Sequence, residues 1–569
     1  MKPQILLVCM RRCETAKCAW WACAFAWQLA STVNDIRAIA VENLASKSTK
    51  ADTMNHFDRR TFVKMTATAL AGQALSGCAV GSLATPELYP KIPNANPLGF
   101  TGHLQNGIEG AYEPIVTGKL PDGLSGAFYR NGPGIYSRGA ERKGSIADGD
   151  GMVRMYRFGN GKVSYKSRFV QTEKFREEQA ANKFIYSTWT TPLPAGGKRT
   201  QGSVNQAGVT TVVRNGKLYA HDEVNPPWTL DPLTLESIGT ENLGIADPTR
   251  LKAHTRVDAK TGEWILFDTS FNPAAPSHSA YIVSADGKST VKRTIAVGAG
   301  VPLCYMHDFF VTGASVMLHL QPTIPDYSAL RQGVPFATSL KWQAADGTKL
   351  AVLSRSGDVD PIIVETDSRW MWHAVNSYDR GNDIVADFVG YDTPDHFIKT
   401  DGKEPAWYAY MQGRSGSYVN PGKLRRLIVN KTTKRAREEI LDGGNNEFPV
   451  VDKRVFCHEH RDVYYIQAPA SALWWSRVVR FDTRTGASEG YDFGPGYYLN
   501  EPSFAADGSI PVNLAKSDRG WVLVPVFESA TGFSSLAIFR SGALSDGPIA
   551  SVRLPTHDPF AFHGSWEQA

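Results

Sequence analysis

The sequence predicts an all-β protein assembled from many short antiparallel hairpins. After residue 100, β-favouring runs interrupted by Asn-Gly, Asp-Gly or Thr-Gly recur to the end of the chain, while long amphipathic helices are scarce. Length agrees with this. At 569 residues, 42% hydrophobic and 11% aromatic, the chain can bury a large core, and closed β-rich folds often run this long as one unit. A β-sandwich or several small β-domains would also use such hairpins. A closed array of four-stranded blades accommodates so many in one chain better. No tryptophan-aspartate or kelch repeat is visible, so the residues alone give no blade count.

Taken in order, the first hundred residues differ from the rest. Four of the seven cysteines (Cys9, Cys13, Cys18, Cys23) open the chain, without the spacing of a zinc site. From Asp58 to Val80, Arg59 and Arg60 followed by Phe62 and Lys64 resemble a twin-arginine export signal. The run Met65 to Gly77 has the length of a signal core and is too short to span a bilayer as a helix. Leu75 to Cys78 (LSGC) looks like a lipobox that would lipidate Cys78. These features predict an upstream extension over 1–53, translation from Met54, a signal over 54–78, a tether over 79–100 and a body over 101–569. The expected location is exported, periplasmic or anchored as a lipoprotein; a cytoplasmic protein with a merely hydrophobic N-terminal helix is the alternative.

In the body, hairpins are predicted at 156–170 (YRFGNGKVSYKSRFV), 212–221 (VVRNGKLYAH), 257–268 (VDAKTGEWILFD), 282–295 (IVSADGKSTVKRTI), 479–493 (VRFDTRTGASEGYDF) and 504–512 (FAADGSIPV). One helix is predicted, Thr172 to Phe184, with a heavily charged polar face; with the connection Ser187 to Gln206 it belongs to a cap or rim. The net charge of +5 comes without a basic run, which argues against nucleic acid. Such a mild excess would suit peripheral contact with an anionic membrane, though solvated surface charge is the simpler account.

Four histidines stand in distinctive frames: KAHTRVD (His254), YMHDFFVT (His307), MWHAVNSYD (His373) and FAFHGSW (His563). Three glutamates do likewise, in YAHDEVNPPW (Glu223), NNEFPVVD (Glu447) and YYLNEPSF (Glu501). Neutral imidazoles suit iron, zinc, copper and nickel, and a ligating histidine usually donates its other N–H to a carboxylate or carbonyl. The histidines are 53, 66 and 190 residues apart, so only a closed fold that brings distant strands to one axis could unite them. Elsewhere, His221, His458 and His460 gain no such support, and the CHEH cluster at Cys457 reads as a surface turn with solvated imidazoles. Cys304 reads as a small buried hydrophobe, and Asp308 as a structural hydrogen-bonding group on the opposite face of its strand from His307.

These segments, with GAFYRNGPG (Gly126 to Gly134), DGDGMV (Asp148 to Val153), LDPLTLESIG (Leu230 to Gly239) and the terminal His563-Gly564, resemble the carotenoid cleavage oxygenases, a family that includes carotenoid and stilbene dioxygenases and the visual-cycle retinoid isomerase. The resemblance runs from about residue 100 to the C-terminus. It implies a seven-bladed β-propeller capped by loops and short helices, with His254, His307, His373 and His563 as iron ligands and Glu223, Glu447 and Glu501 behind them. It implies Fe2+ as cofactor. Structural zinc sites close at four ligands, whereas a six-position ferrous shell keeps room for O2; the all-histidine set departs from the commoner facial triad.

The implied reaction is cleavage of a carbon–carbon double bond in an apolar conjugated substrate, with O2 giving two carbonyl products. Candidate tunnel residues are Phe169, Trp189, Phe309, Trp370, Trp372 and Tyr378. In the stilbene-cleaving branch a tyrosine and a lysine engage the phenol. The tyrosine falls at Phe169 here, with Tyr165 nearby and Lys198 a candidate for the lysine. This favours a carotenoid or apocarotenoid. The alternatives are a stilbene or phenylpropenoid dioxygenase, a non-oxidative isomerase, and a non-catalytic propeller binding apolar ligands.

Overall fold

A computed structural model describes residues 87–569 apart from 201–202, 248–249, 299, 471 and 513–518. The expected extension and export signal, with Arg59, Arg60 and Cys78, lie outside the described residues. The body is a seven-bladed β-propeller: seven sheets of four or more strands, with two small two-stranded sheets beside them. Blade I contains strands Gly110–Tyr112, Gly126–Pro133, Gly151–Gly159 and Lys162–Phe169. Blades II to VI follow as meanders over 210–240, 256–296, 309–366, 370–442 and 445–492. Blade VII spans 497–553, with Ile115–Gly118 at its outer edge. The last strand, His563–Gln568, pairs antiparallel with Gly126–Pro133, so the end of the chain completes the first blade and closes the ring.

The hairpin signals act through their turn residues. Asn160-Gly161 and Asn215-Gly216 all have positive φ (53° and 69°, 48° and 76°), the backbone that a two-residue turn between twisted strands requires. Burial then depends on position within the blade. Middle strands such as Trp264–Ser270 and Ser315–Leu320 are buried at every residue, because each blade is covered on both faces by its neighbours. Outer strands alternate with solvent, as in Thr290–Ala296 and Arg435–Asp442. The core is accordingly divided into wedges. One, with Phe267, Phe309 and Leu318, lies between blades III and IV, and another, with Met317, Ala374 and Phe388, between IV and V.

The DGDGMV turn ties blade I to the cap. Asp148 accepts hydrogen bonds from the Thr190 N–H (3.1 Å) and the Thr191 hydroxyl (2.5 Å). Asp150 pairs with Lys174 on the predicted helix, which runs Glu173–Ala181 behind a Thr172 N-cap. A Cβ on Gly151 would meet the Ala207 carbonyl oxygen at 2.1 Å, so only glycine permits this approach of turn and loop.

Two expectations are corrected. The tether predicted to reach residue 100 ends earlier: Tyr89 is buried against Phe493, its hydroxyl 2.9 Å from Ser551 Oγ, and Phe100 is buried against Trp474. In FAADGSIPV only the first half forms a strand, Ser503–Ala506, and it pairs with Gly520–Glu528 instead of residues 510–512. Pro511 there has no N–H to give to a ladder.

Candidate metal centre

Each blade contributes one of the seven predicted residues. Glu223 follows the second strand of blade II, while His254 and His307 immediately precede the innermost strands of blades III and IV. His373 and Glu447 lie within the innermost strands of blades V and VI. Glu501 sits between two short inner strands of blade VII, and His563 opens the closing strand. His373 occurs where the register of its strand shifts, and another shift follows Glu447. Such bulges re-aim a side chain out of strict alternation. Phe448, next to Glu447, has φ 52°, a costly conformation for a bulky residue. Its ring stacks on His373 at 4.8 Å.

The four histidines are buried and converge, with one nitrogen from each lying within 4.8 Å of the others. His254 Nε2 and His307 Nε2 are 3.0 Å apart. Behind the rings, His563 Nδ1 is 2.8 Å from Glu501 Oε1, and His373 Nδ1 pairs with Glu447 Oε2. His307 Nδ1 lies 3.1 Å from Glu223 Oε2. His254 has no glutamate; its Nδ1 is 3.6 Å from Asp308 Oδ2, too far for a hydrogen bond. Burial and the neighbouring imidazoles hold the His254 pKa well below the usual value, and burial lowers His563 against the opposing pull of Glu501. Both rings are therefore neutral at pH 7.

The carboxylates are themselves anchored, by groups that sequence reasoning missed. The Tyr305 hydroxyl donates to Glu223 Oε1 (2.9 Å), the Tyr391 hydroxyl to Glu447 Oε1 (2.9 Å) and the Gly564 N–H to Glu501 Oε2 (2.7 Å). Burial pushes the Glu447 carboxyl upward, but His373, the Phe448 N–H and Tyr391 outweigh it and hold the pKa below the usual value. Four convergent imidazoles, three of them with a glutamate behind the ring, suit a divalent transition metal. Among the described residues, no other cluster of histidine, cysteine or acidic side chains has this convergence.

Two cavities meet the centre. On the cap side, Trp189, Trp372, Trp407, Phe448, Trp475 and Phe562 wall a cavity that reaches His307, His373 and His563. No tyrosine or lysine is among its described lining residues. Trp372 stands edge-on to His307 at 4.7 Å, stacks on Trp407 and donates its indole N–H to His396 Nε2 (2.7 Å). The other cavity has a mixed wall, with charged residues such as Arg256, Asp258 and Lys453 among apolar ones, and runs along the propeller axis to His254, His373 and His563.

Of the tunnel candidates, Trp189 and Trp372 line the aromatic cavity, and Trp370 packs behind Trp372 at 4.8 Å. Phe309, Phe169 and Tyr378 do not line it. Phe309 fills the wedge between blades III and IV, 4.4 Å from Phe267. Phe169 stacks on Phe175 of the cap helix at 5.1 Å, and Tyr378 lies against His460. Lys198 is an exposed residue paired with Glu177, and Tyr165 is buried between Tyr112 and Tyr156. Trp407, Phe448, Trp475 and Phe562 were missed, although Phe448 and Phe562 stand directly beside a site residue in their frames.

The CHEH turn also needs correction. His460 is buried with Nε2 2.9 Å from Asp387, His458 Nε2 is 3.0 Å from Asp258, and Cys457 is buried, so these side chains link blades instead of meeting solvent. Asp308 has the structural part expected of it, accepting from Arg256 and from the Ala374 N–H, both at 2.8 Å. Cys304 is fully buried, which pushes its thiol up to about 12. His221 is also buried, and its pKa falls to about 3.

A family model described as retinal pigment epithelial membrane protein matches residues 104–568. Lignostilbene-α,β-dioxygenase isozyme III of Sphingomonas paucimobilis is 27% identical over 83% of this chain and 97% of its own length. Apocarotenoid-15,15'-oxygenase of Synechocystis is 26% identical over 80% and 92%, and carotenoid 9,10(9',10')-cleavage dioxygenase 1 of Pisum sativum 25% over 79% and 85%. Among solved structures, the cobalt-substituted Synechocystis enzyme aligns with a TM-score of 0.76 at 23% identity, covering 83% of this chain and 99% of that one. That is a likeness of fold.

Proposed function

Because the chain belongs to the family of the retinal pigment epithelial membrane protein and the carotenoid cleavage oxygenases, we propose that it is an iron(II)-dependent dioxygenase that cleaves a double bond of a carotenoid or apocarotenoid. The named relatives are oxygenases acting on conjugated or styryl compounds, and the chain is an oxidoreductase of that kind. Bound at the four histidines, ferrous iron would supply the binding and activation of O2. The protein's own part is to hold four imidazoles at one point, through Glu223, Glu447, Glu501 and the groups that anchor them. It also keeps the approach from the cap apolar. Trp372, Phe448 and Phe562 stand closest to the histidine rings and would select which bond lies over the centre.

The observation that favours a polyene is the chemistry of the cavity wall. A phenolic substrate asks for a base or hydrogen-bond partner for its hydroxyl; the described wall has no tyrosine or lysine, and its carboxylates are engaged, Glu223 and Glu447 by His307 and His373 and Asp222 by the Gln206 N–H and Asn225. Phe169 carries less weight than its position in the sequence suggested, because it lies outside the wall. The free volume beside the histidines is about 50 Å³, so a long substrate enters only as cap side chains, Trp189 among them, move apart.

Stilbene or phenylpropenoid cleavage on the same scaffold is the second reading, favoured by the 27% identity to the lignostilbene dioxygenase over nearly its whole length. Incubating the iron-loaded protein with β-apo-carotenals and with hydroxystilbenes under ¹⁸O2 separates the two. The expected result is aldehyde or ketone products from the apocarotenals, with one labelled oxygen in each fragment. Products from the stilbenes alone would overturn the substrate assignment, and label in one fragment only would make the enzyme a monooxygenase.

A further inference from the structure

The two cavities that meet at the histidines differ in chemistry and in width. The cap-side cavity is aromatic, with a free volume of about 50 Å³. The axial one has about 440 Å³, many times the ~30 Å³ share of one water in the liquid. Its inner end touches His254, His373, His563 and Glu501, and its wall includes Thr211 and Ser565, whose hydroxyls are 3.4 Å apart across two inner strands. It reaches solvent beside Lys453 and Glu567, a 2.7 Å ion pair with side chains 42% and 30% exposed. Asp258 and Asp308 supply carboxylates along the way. The deeper carboxylates are held by partners, Asp308 by Arg256 and Asp258 by Arg355 and His458. The wall mixes these groups, and the cations Arg214, Arg256, Lys453 and Arg454, with apolar side chains such as Val212, Val257 and Val375, and it offers no strong trap for a cation.

We infer that this axial channel is the route by which a hydrated divalent metal ion reaches the four histidines, separate from the aromatic route taken by the organic substrate. The physical ground is desolvation. Moving an ion from water into an apolar medium is costly, and the cost rises with the square of the charge. The cap-side cavity also touches Asp222, Glu223 and Glu447, but with about 50 Å³ free between Trp189, Trp407 and Trp475 it has no room for an ion that carries its hydration, whereas the wider axial channel lets the ion stay hydrated until the imidazoles replace its water. The separation also means that a substrate already seated under the cap would not prevent the centre from being loaded. This inference rests on the metal-centre reading above.

The test follows metal uptake, with no turnover involved. Protein stripped with a chelator is mixed with Co2+, quenched at intervals with excess chelator, desalted and analysed for bound cobalt. Ser565→Phe plugs the middle of the channel, and Ala147→Phe narrows the cap-side cavity, which Ala147 lines. The expected result is uptake at least tenfold slower in Ser565→Phe, with the same final cobalt content and melting temperature as the parent, and unchanged uptake in Ala147→Phe. Parental uptake in Ser565→Phe, or slowing by Ala147→Phe alone, would overturn the route. If Ser565→Phe does not fold, Thr211→Leu is read by the same criteria. No stable cobalt in the parent protein would refute the metal centre itself, a failure distinct from that of the route.

Discussion

At the scale of single residues, the centre depends as much on the groups that aim the histidines as on the histidines. Glu447 is held at both oxygens, by Tyr391 on one and by His373 and the Phe448 N–H on the other. Glu447→Gln keeps the shape but removes the charge that supports His373. Changes of this kind cost about 10–100-fold in metal affinity. That loss, measured by competition with a chelator, is expected here with little change in the melting temperature of the metal-free protein; unaltered affinity would deny Glu447 its supporting part. The seven site residues were legible because each stands in a distinctive frame. Tyr305 and Tyr391 were not, since a tyrosine in a β-run looks like any core residue until the fold brings its hydroxyl to a carboxylate from another blade. Phe309 failed as a tunnel residue because nearness in sequence does not place a side chain on the axis: His307 lies before the innermost strand, which begins at Phe309, and the Phe309 ring packs into the wedge against Phe267.

At the scale of elements, turn chemistry was the most readable signal. The Asn-Gly hairpins at 160–161 and 215–216 formed where predicted, as did the cap helix behind Thr172. Pattern did not reveal that part of the helix's charged face points inward. Lys174 Nζ is 2.7 Å from Asp150 and 2.8 Å from Glu178, with all three side chains almost wholly buried. Removing one partner of such a group leaves uncompensated charge and typically costs about 3–5 kcal/mol, far more than losing an exposed pair such as Lys198 with Glu177. Lys174→Met should therefore lower stability in chemical denaturation by several times as much as Lys198→Met. Equal effects of the two changes would show that the buried network does not anchor the cap.

At the scale of the whole molecule, the propeller accounts for how four histidines so far apart in sequence meet at one point. A ring of blades places one loop or inner strand from each at a common axis, and pairing of His563–Gln568 with Gly126–Pro133 brings the last ligand in as the ring closes. The all-β class was readable from hairpins alone. The number of blades was not, because the blades share no visible repeat and differ in loop length and edge strands; it came from resemblance, and the seven sheets agree with it. The measurement that tests the central claim most directly is iron content after anaerobic reconstitution, for the parent protein and for His254, His307, His373 and His563 each changed to alanine. The account predicts one iron per chain in the parent and less than a tenth of that in each folded variant. Full iron content in variants lacking any one of these histidines would contradict it.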